Sequence, residues 1–303
     1  MDTIIRRALT GTTEQPALTF ERTYRATPSE IRSACTSPER LARWLGEIDG
    51  NPTAVDDTYT ARLSHEPDDY ATGRVLRCDD DAIAVTWTWV GERESVVSIR
   101  IARLDEEHTT LTLHHQLTEA ATAVDYGGGW EHYLTSLATA FGGSAPETDV
   151  YPIAAEAWRT ITRAPLAIER TIPAPIGDVW SAFATADGLK AWWWSHWSDV
   201  EIDADVKPGG RYRITSPGVG ITLSGTYLDV TEPSHLAYTW RWSDSDGETP
   251  DEAVDIRFEP VGGETRVIVR HTGPWADDAP AENYRQGWQF TLDQLTASLS
   301  SDE

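Results

Sequence analysis

Two histidines and a set of tryptophans are the side chains best placed to do chemistry in this chain. His271 follows Val267 and Val269 at alternate positions, so on a strand it shares their face and points into an apolar interior. An imidazole there can be a neutral residue held by one hydrogen bond, a polar handle that orients a ligand, or a general acid–base near neutral pH. Trp240 and Trp242 alternate with Leu236 and Tyr238 on another strand, and Trp288 lies on a helical stripe with Tyr284, Leu292, Leu295 and Leu299. These rings fit two roles: apolar core, or the wall of a cavity for a flat or greasy ligand. Tyr227, with Arg211 and Tyr212, adds polar groups from strands. Trp192, Trp193, Trp194 and Trp197 crowd six positions. Four rings so close are not expected all to point inward, and some should line a cavity mouth or form an exposed apolar patch, whose occupant could be a ligand or a protein partner.

Other chemistries lack their residues. The eight histidines include no i, i+4 pair beside an acid, and the two cysteines are not at ligand spacing, so no metal is expected. No phosphate-cradling loop or nucleophile elbow occurs, and no cofactor is expected. Asp79-Asp80-Asp81 and Asp244-Ser245-Asp246-Gly247 read as solvated hairpin turns rather than calcium loops. Gly127-Gly128-Gly129 reads as a hinge into the helix that follows.

The elements that must position these residues occur twice. Glu21-Arg22-Thr23 returns 148 residues later as Glu169-Arg170-Thr171, and Gly129-Trp130-Glu131 returns 158 residues later as Gly287-Trp288-Gln289. The interval is too long for a solenoid unit and marks a duplicated domain, with ten residues of loop added in the second copy. Trp44, Trp87, Trp89, His115 and Trp130 are the first copy's echoes of the second copy's candidate cavity residues. Each copy reads as a strand, two short helices, further strands and one long terminal helix: an α+β fold, with the domains at 1–142 and 164–303 and a linker at 143–163. Within the linker, 153–162 has the pattern of an amphipathic helix that docks against a domain.

In the second copy the series Ile168-Glu169-Arg170-Thr171-Ile172-Pro173-Ala174-Pro175, Leu189-Lys190-Ala191-Trp192-Trp193, Pro208-Gly209-Gly210-Arg211-Tyr212, Tyr238-Thr239-Trp240, His271-Thr272-Gly273 and Gly287-Trp288 resembles the activator-of-heat-shock-protein-90-ATPase-like family of the START-like (SRPBCC) superfamily. The resemblance implies tandem helix-grip domains, each a curved antiparallel sheet of about six or seven strands wrapped around a long C-terminal helix. It implies a cavity between sheet and helix that takes small hydrophobic molecules without catalysis. It also implies two other uses: a co-chaperone-like module acting on a chaperone ATPase, or a cyclase or aromatase working in the same cavity. The first copy keeps the frame, but Val55-Asp56-Asp57-Thr58-Tyr59 replaces the Pro-Gly-Gly turn and Gln116 follows His115.

The formal charge of −24 is spread over both copies, and residues 143–303 hold 26 acids against 12 bases. Such a surface repels phosphate backbones, so no nucleic-acid partner is expected. High-salt adaptation and a GC-rich genome both account for the near absence of lysine. No stretch is long and apolar enough to span a bilayer or form a signal-peptide core. Cys35 and Cys78 read as free thiols, and a cytoplasmic location is expected.

Overall fold

The computed structural model describes residues 4–64, 66, 69–163, 165–275 and 279–300. It divides into two compact units, Met1–Arg159 and Thr160–Glu303. In the first, β1 (Arg6–Gly11) and β2 (Pro16–Tyr24) precede α1 (Pro28–Thr36) and α2 (Pro38–Leu41). Six strands follow: β3 (Glu47–Gly50), β4 (Thr58–Arg62), β5 (Tyr70–Cys78), β6 (Ala82–Trp89), β7 (Ser95–Arg103) and β8 (Thr109–Gln116). The long helix α3 (Ala123–Thr139) closes the domain. The sheet is antiparallel in the order β1-β2-β8-β7-β6-β5-β4-β3. It has one strand more than the six or seven expected, because β1 doubles back through Gly11, at φ 81°, onto β2. Residues 143–163 contain the expected helix, α4 (Val150–Ile161), and most of it belongs to the first unit.

Trp158 of α4 is fully buried, packs tilted against Phe20 with ring centroids 5.0 Å apart, and donates from Nε1 to Glu131 Oε1 at 2.7 Å. The same carboxylate receives Arg7 Nε at 2.6 Å, so a buried ion pair and an indole tie α4, α3 and β1 together. Gly127 and Gly128 are not a hinge. They lie inside α3, where a Cβ on Gly127 would come within 2.3 Å of the Trp158 ring. Their missing side chains make the flat surface on which α4 rests.

The second unit runs β9 (Leu166–Ile172), α5 (Ile176–Ala184), α6 (Ala186–Lys190), β10 (Glu201–Ala204), β11 (Arg211–Ser216), β12 (Ile221–Thr231) and β13 (His235–Asp244). It continues through the short β14 (Gly247–Glu248), β15 (Glu252–Val261), β16 (Glu264–Thr272) and the terminal helix α7 (Ala279–Ser300). The antiparallel order is β10-β11-β12-β13-β15-β16-β9, with β14 paired to β13 alone. Trp288, Leu292 and Leu295 on α7 are buried against inward residues of the sheet such as Val254, Ile256, Val267 and Val269. This is the helix-grip arrangement, built twice. Among the described residues no helix is long and apolar enough to cross a membrane, and no group of three potential ligands could hold a metal ion.

Both sheets use the same glycine device. A Cβ on Gly225 would stand 1.9 Å from Thr239 O and 2.6 Å from the Tyr212 ring, and Gly73 stands likewise against Thr86 O and Tyr59. Each absent side chain lets a tyrosine cross its strand and donate to that carbonyl: Tyr212 at 2.9 Å and Tyr59 at 2.8 Å. Gly225→Ala is therefore expected to destabilise the second unit by about 1–3 kcal/mol through overpacking, read as a lower urea midpoint with unchanged slope.

On the same unit, His235 Nε2 lies 2.9 Å from Asp255 Oδ2 and Nδ1 lies 3.6 Å from Asp229 Oδ1, with Arg257 3.5 Å from the other Asp255 oxygen. Burial disfavours its charged form, but the two carboxylates outweigh burial and raise the imidazole to about 9. The folded value thus exceeds the unfolded one of about 6.5. The stabilisation is complete below that unfolded value and is lost as pH rises through about 9. His235→Gln should flatten the fall in unfolding free energy between about pH 6.5 and 9, measured by urea titration across that range.

Candidate functional site

The site arises where two strands part. β13 pairs with β15 from His235 to Trp240, then leaves it and pairs with β14 at Ser243 and Asp244. Trp240 lies opposite Glu252, the first residue of β15, and His271 of β16 lies opposite Val254. Strand parity therefore brings Trp240, Glu252 and His271 to one face at the open end of the sheet. Tyr284 and Trp288, one turn apart on α7, lie over them.

A cavity of about 490 Å³ occupies this end. Its walls are Trp193, Trp194, Trp240, Trp242, Trp275 and Trp288, with Thr249, Glu252 and Tyr284 among its polar lining groups. Three neighbouring pairs meet close to right angles, Trp193 with Trp288 at 88°, Trp194 with Trp242 at 84° and Trp240 with Tyr284 at 88°, while Trp193 with Trp240 and Trp240 with Trp288 are tilted at 53° and 40°.

Behind the wall, Trp288 Nε1 donates to His271 Nδ1 at 3.3 Å. That fixes the neutral tautomer with the proton on Nε2, which faces Glu252 Oε2 at 3.8 Å, beyond hydrogen-bond reach. His271 has no exposed surface. Burial lowers its basicity, more than the nearby Glu252 restores it, so the ring stays neutral. Glu252 is 3 % exposed, and its Oε2 accepts from Tyr284 at 2.8 Å and Thr249 at 3.1 Å.

The first domain builds the same frame and fills it differently. Trp130 Nε1 donates to His115 Nδ1 at 3.0 Å, as in the second copy. There the other ring nitrogen meets Ser95 Oγ at 2.8 Å, and Ser95 passes the bond to Trp87 O. Ser95 pairs with Trp87 and His115 with Val97, so Ser95 holds the register position of Glu252. A closed chain of neutral hydrogen bonds replaces a buried carboxyl. Burial lowers the His115 pKa to about 3. Trp89, like its echo Trp242, is half-buried.

Several residues read as cavity candidates lie elsewhere. Trp192 donates to Ala182 O and Trp44 to Ala34 O, each at 3.0 Å, which pins the first helix of its domain to the following helical turn. Tyr227 and Tyr238 pack with Tyr212, ring centroids 5.4 to 5.8 Å apart, within the core. Trp193, Trp240, Trp242 and Trp288 lie in the cavity wall. Of the two expectations for these rings, a cavity mouth or an exposed patch, 192–194 form no patch: Trp192, Trp193 and Trp194 are all buried, and Trp193 and Trp194 line the cavity. α6 ends at Lys190, and Trp194 adopts a left-handed φ of 52°, so the turn aims successive side chains inward.

Sequence reasoning passed over Glu252, Thr249 and Trp275. Glu252 continues the inward series Val254, Ile256, Phe258 by one strand period, and a carboxyl at that position was the readable signal.

Comparison with known proteins places this geometry. The crystal structure of CalU16 from Micromonospora echinospora is similar, at 28% identity over 53% of this chain and 99% of that one, with a TM-score of 0.45. DynU16, from the dynemicin biosynthetic locus, is 17% identical over 94% of this chain and 96% of its own, with a TM-score of 0.39. A protein from Rhizobium leguminosarum is 22% identical over 46% of this chain and 95% of its own, with a TM-score of 0.41. No curated protein matches the chain. The family model for Activator of Hsp90 ATPase homolog 1-like protein matches residues 25–142 and again 173–300, most of each domain. The chain belongs to that family, as two helix-grip domains in tandem.

Proposed function

We propose that the second domain binds a small hydrophobic molecule between its sheet and α7, and does so without catalysis. The supporting observation is the cavity itself. Its volume of about 490 Å³ is in the range of small-molecule sites, and its walls are aromatic with a few polar groups. A cyclase-type use would need a proton shuttle that reaches the ligand. His271 and Tyr227 are the nominees: His271 has no exposed surface, and Tyr227 is packed against Tyr212 and Tyr238 in the core.

Titration of the full chain with 1-naphthol tests this reading. Ligand that binds only the folded state stabilises it, by about 2.7 kcal/mol at a hundredfold excess over Kd. The expected result is quenched tryptophan fluorescence with a higher melting temperature for the second unit. Neither effect up to the solubility limit of the probe would remove the reading.

A further inference from the structure

Resting on that cavity reading, we infer that the ligand is an organic ammonium cation, alkylated enough to fill an apolar box, with Glu252 as the residue that selects for charge. Glu252 lines the cavity, yet its residue is 3 % exposed. A carboxylate taken out of water is costly unless a cation or several hydrogen bonds compensate it. Its partners here are two hydroxyls, from Tyr284 and Thr249, and a histidine held neutral at 3.8 Å. Among the described residues that line the cavity, none is lysine, arginine or histidine. An anionic ligand would meet the Glu252 carboxylate with no cationic side chain among those lining residues to offset it, and only neutral N–H donors such as those of Trp193, Trp240 and Trp275 to bond it.

The walls point the same way. Indole presents the strongest negative quadrupole of the aromatic side chains, and a cation near a ring face is attracted to it, most where water is excluded. Six tryptophans and a tyrosine line this cavity, several of them at right angles to one another. Such an arrangement surrounds a roughly spherical charged group better than it sandwiches a flat neutral one. At the rim, the segment that supplies Thr249 and Pro250 carries Asp244, Asp246, Glu248 and Asp251, four acids against the single cation Arg241, which faces Glu248 at 3.9 Å. That field raises the local concentration of cations. The first domain has Ser95 at the position of Glu252; the carboxylate that its Tyr126 bonds, at 2.7 Å, is Glu92, which comes from the turn before β7 and is only half-buried.

The test compares two molecules of one shape: 3-hydroxyphenyl-trimethylammonium and its neutral isostere 3-tert-butylphenol, each titrated calorimetrically into the full chain. The cation is expected to bind about tenfold tighter or better, the effect of one or two such ring contacts. Glu252→Gln should remove most of that advantage while leaving 3-tert-butylphenol within about twofold of its original affinity, with the melting curve reporting that the variant is folded. Equal affinity of the two probes for the unaltered chain would overturn the cation inference and leave the cavity reading standing. Binding of neither would overturn both. The comparison on the unaltered chain decides the matter even if the variant does not fold.

Discussion

Trp288→Ala is expected to destabilise the second unit by about 3–5 kcal/mol, the usual cost of removing a large buried aromatic side chain. Trp288 is 3 % exposed, contacts Trp193 at 5.5 Å and Trp240 at 5.6 Å, and holds the tautomer of His271 through its indole N–H. The substitution therefore removes core area, a cavity wall and the indole donor to a buried ring nitrogen. Trp288→Phe separates these contributions. It keeps most of the apolar area but leaves His271 Nδ1 without its donor, for an expected cost of about 1–3 kcal/mol. Urea unfolding followed by far-UV circular dichroism measures both. An alanine variant as stable as the parent would mean that α7 does not close on the sheet through this residue.

The second large effect belongs to the first unit. Trp158→Ala should cost about 3–5 kcal/mol, because it empties the space facing Gly127 and Phe20. It also removes one of the donors that hold the buried Glu131 carboxylate, leaving more of the compensation to Arg7. The loss should fall on the first unit only, while 1-naphthol still raises the melting temperature of the second. Differential scanning calorimetry with and without the probe reads both outcomes. If the variant melts as the parent does, α4 is not an integral part of the first domain.

Much of the architecture is legible in the sequence because strand and helix periodicities are local. The alternation in 236–242 and 267–271 and the stripe on 284–299 place Trp240, His271 and Trp288 on converging faces. What escaped was decided by distant partners or by a single dihedral angle. The indole of Trp158 meets a carboxylate 27 residues earlier, which is itself paired with an arginine 124 positions before it. No periodicity encodes that contact. The inward turn at Trp192–Trp194 depends on one left-handed residue, and tryptophan is not a residue type that announces one. Ser95 and Glu252 are invisible as equivalents until register aligns them, since the loops before them differ in length between the copies. The duplication thus repeats the frame, Trp130–His115 and Trp288–His271, and diverges at the residue opposite the sheet tryptophan.

The central claim is that a ligand enters the second domain among these rings. The direct measurement is a ¹H–¹⁵N spectrum of the indole Nε1–H signals of the fourteen tryptophans, recorded on the full chain during titration with 1-naphthol. The signals of Trp193, Trp240, Trp275 and Trp288 should shift together with one binding curve, while those of Trp44, Trp192 and Trp158, each bonded to a protein oxygen away from the cavity, stay in place. Unmoved signals from all four cavity residues, or shifts of Trp87 and Trp130 instead, would contradict the account.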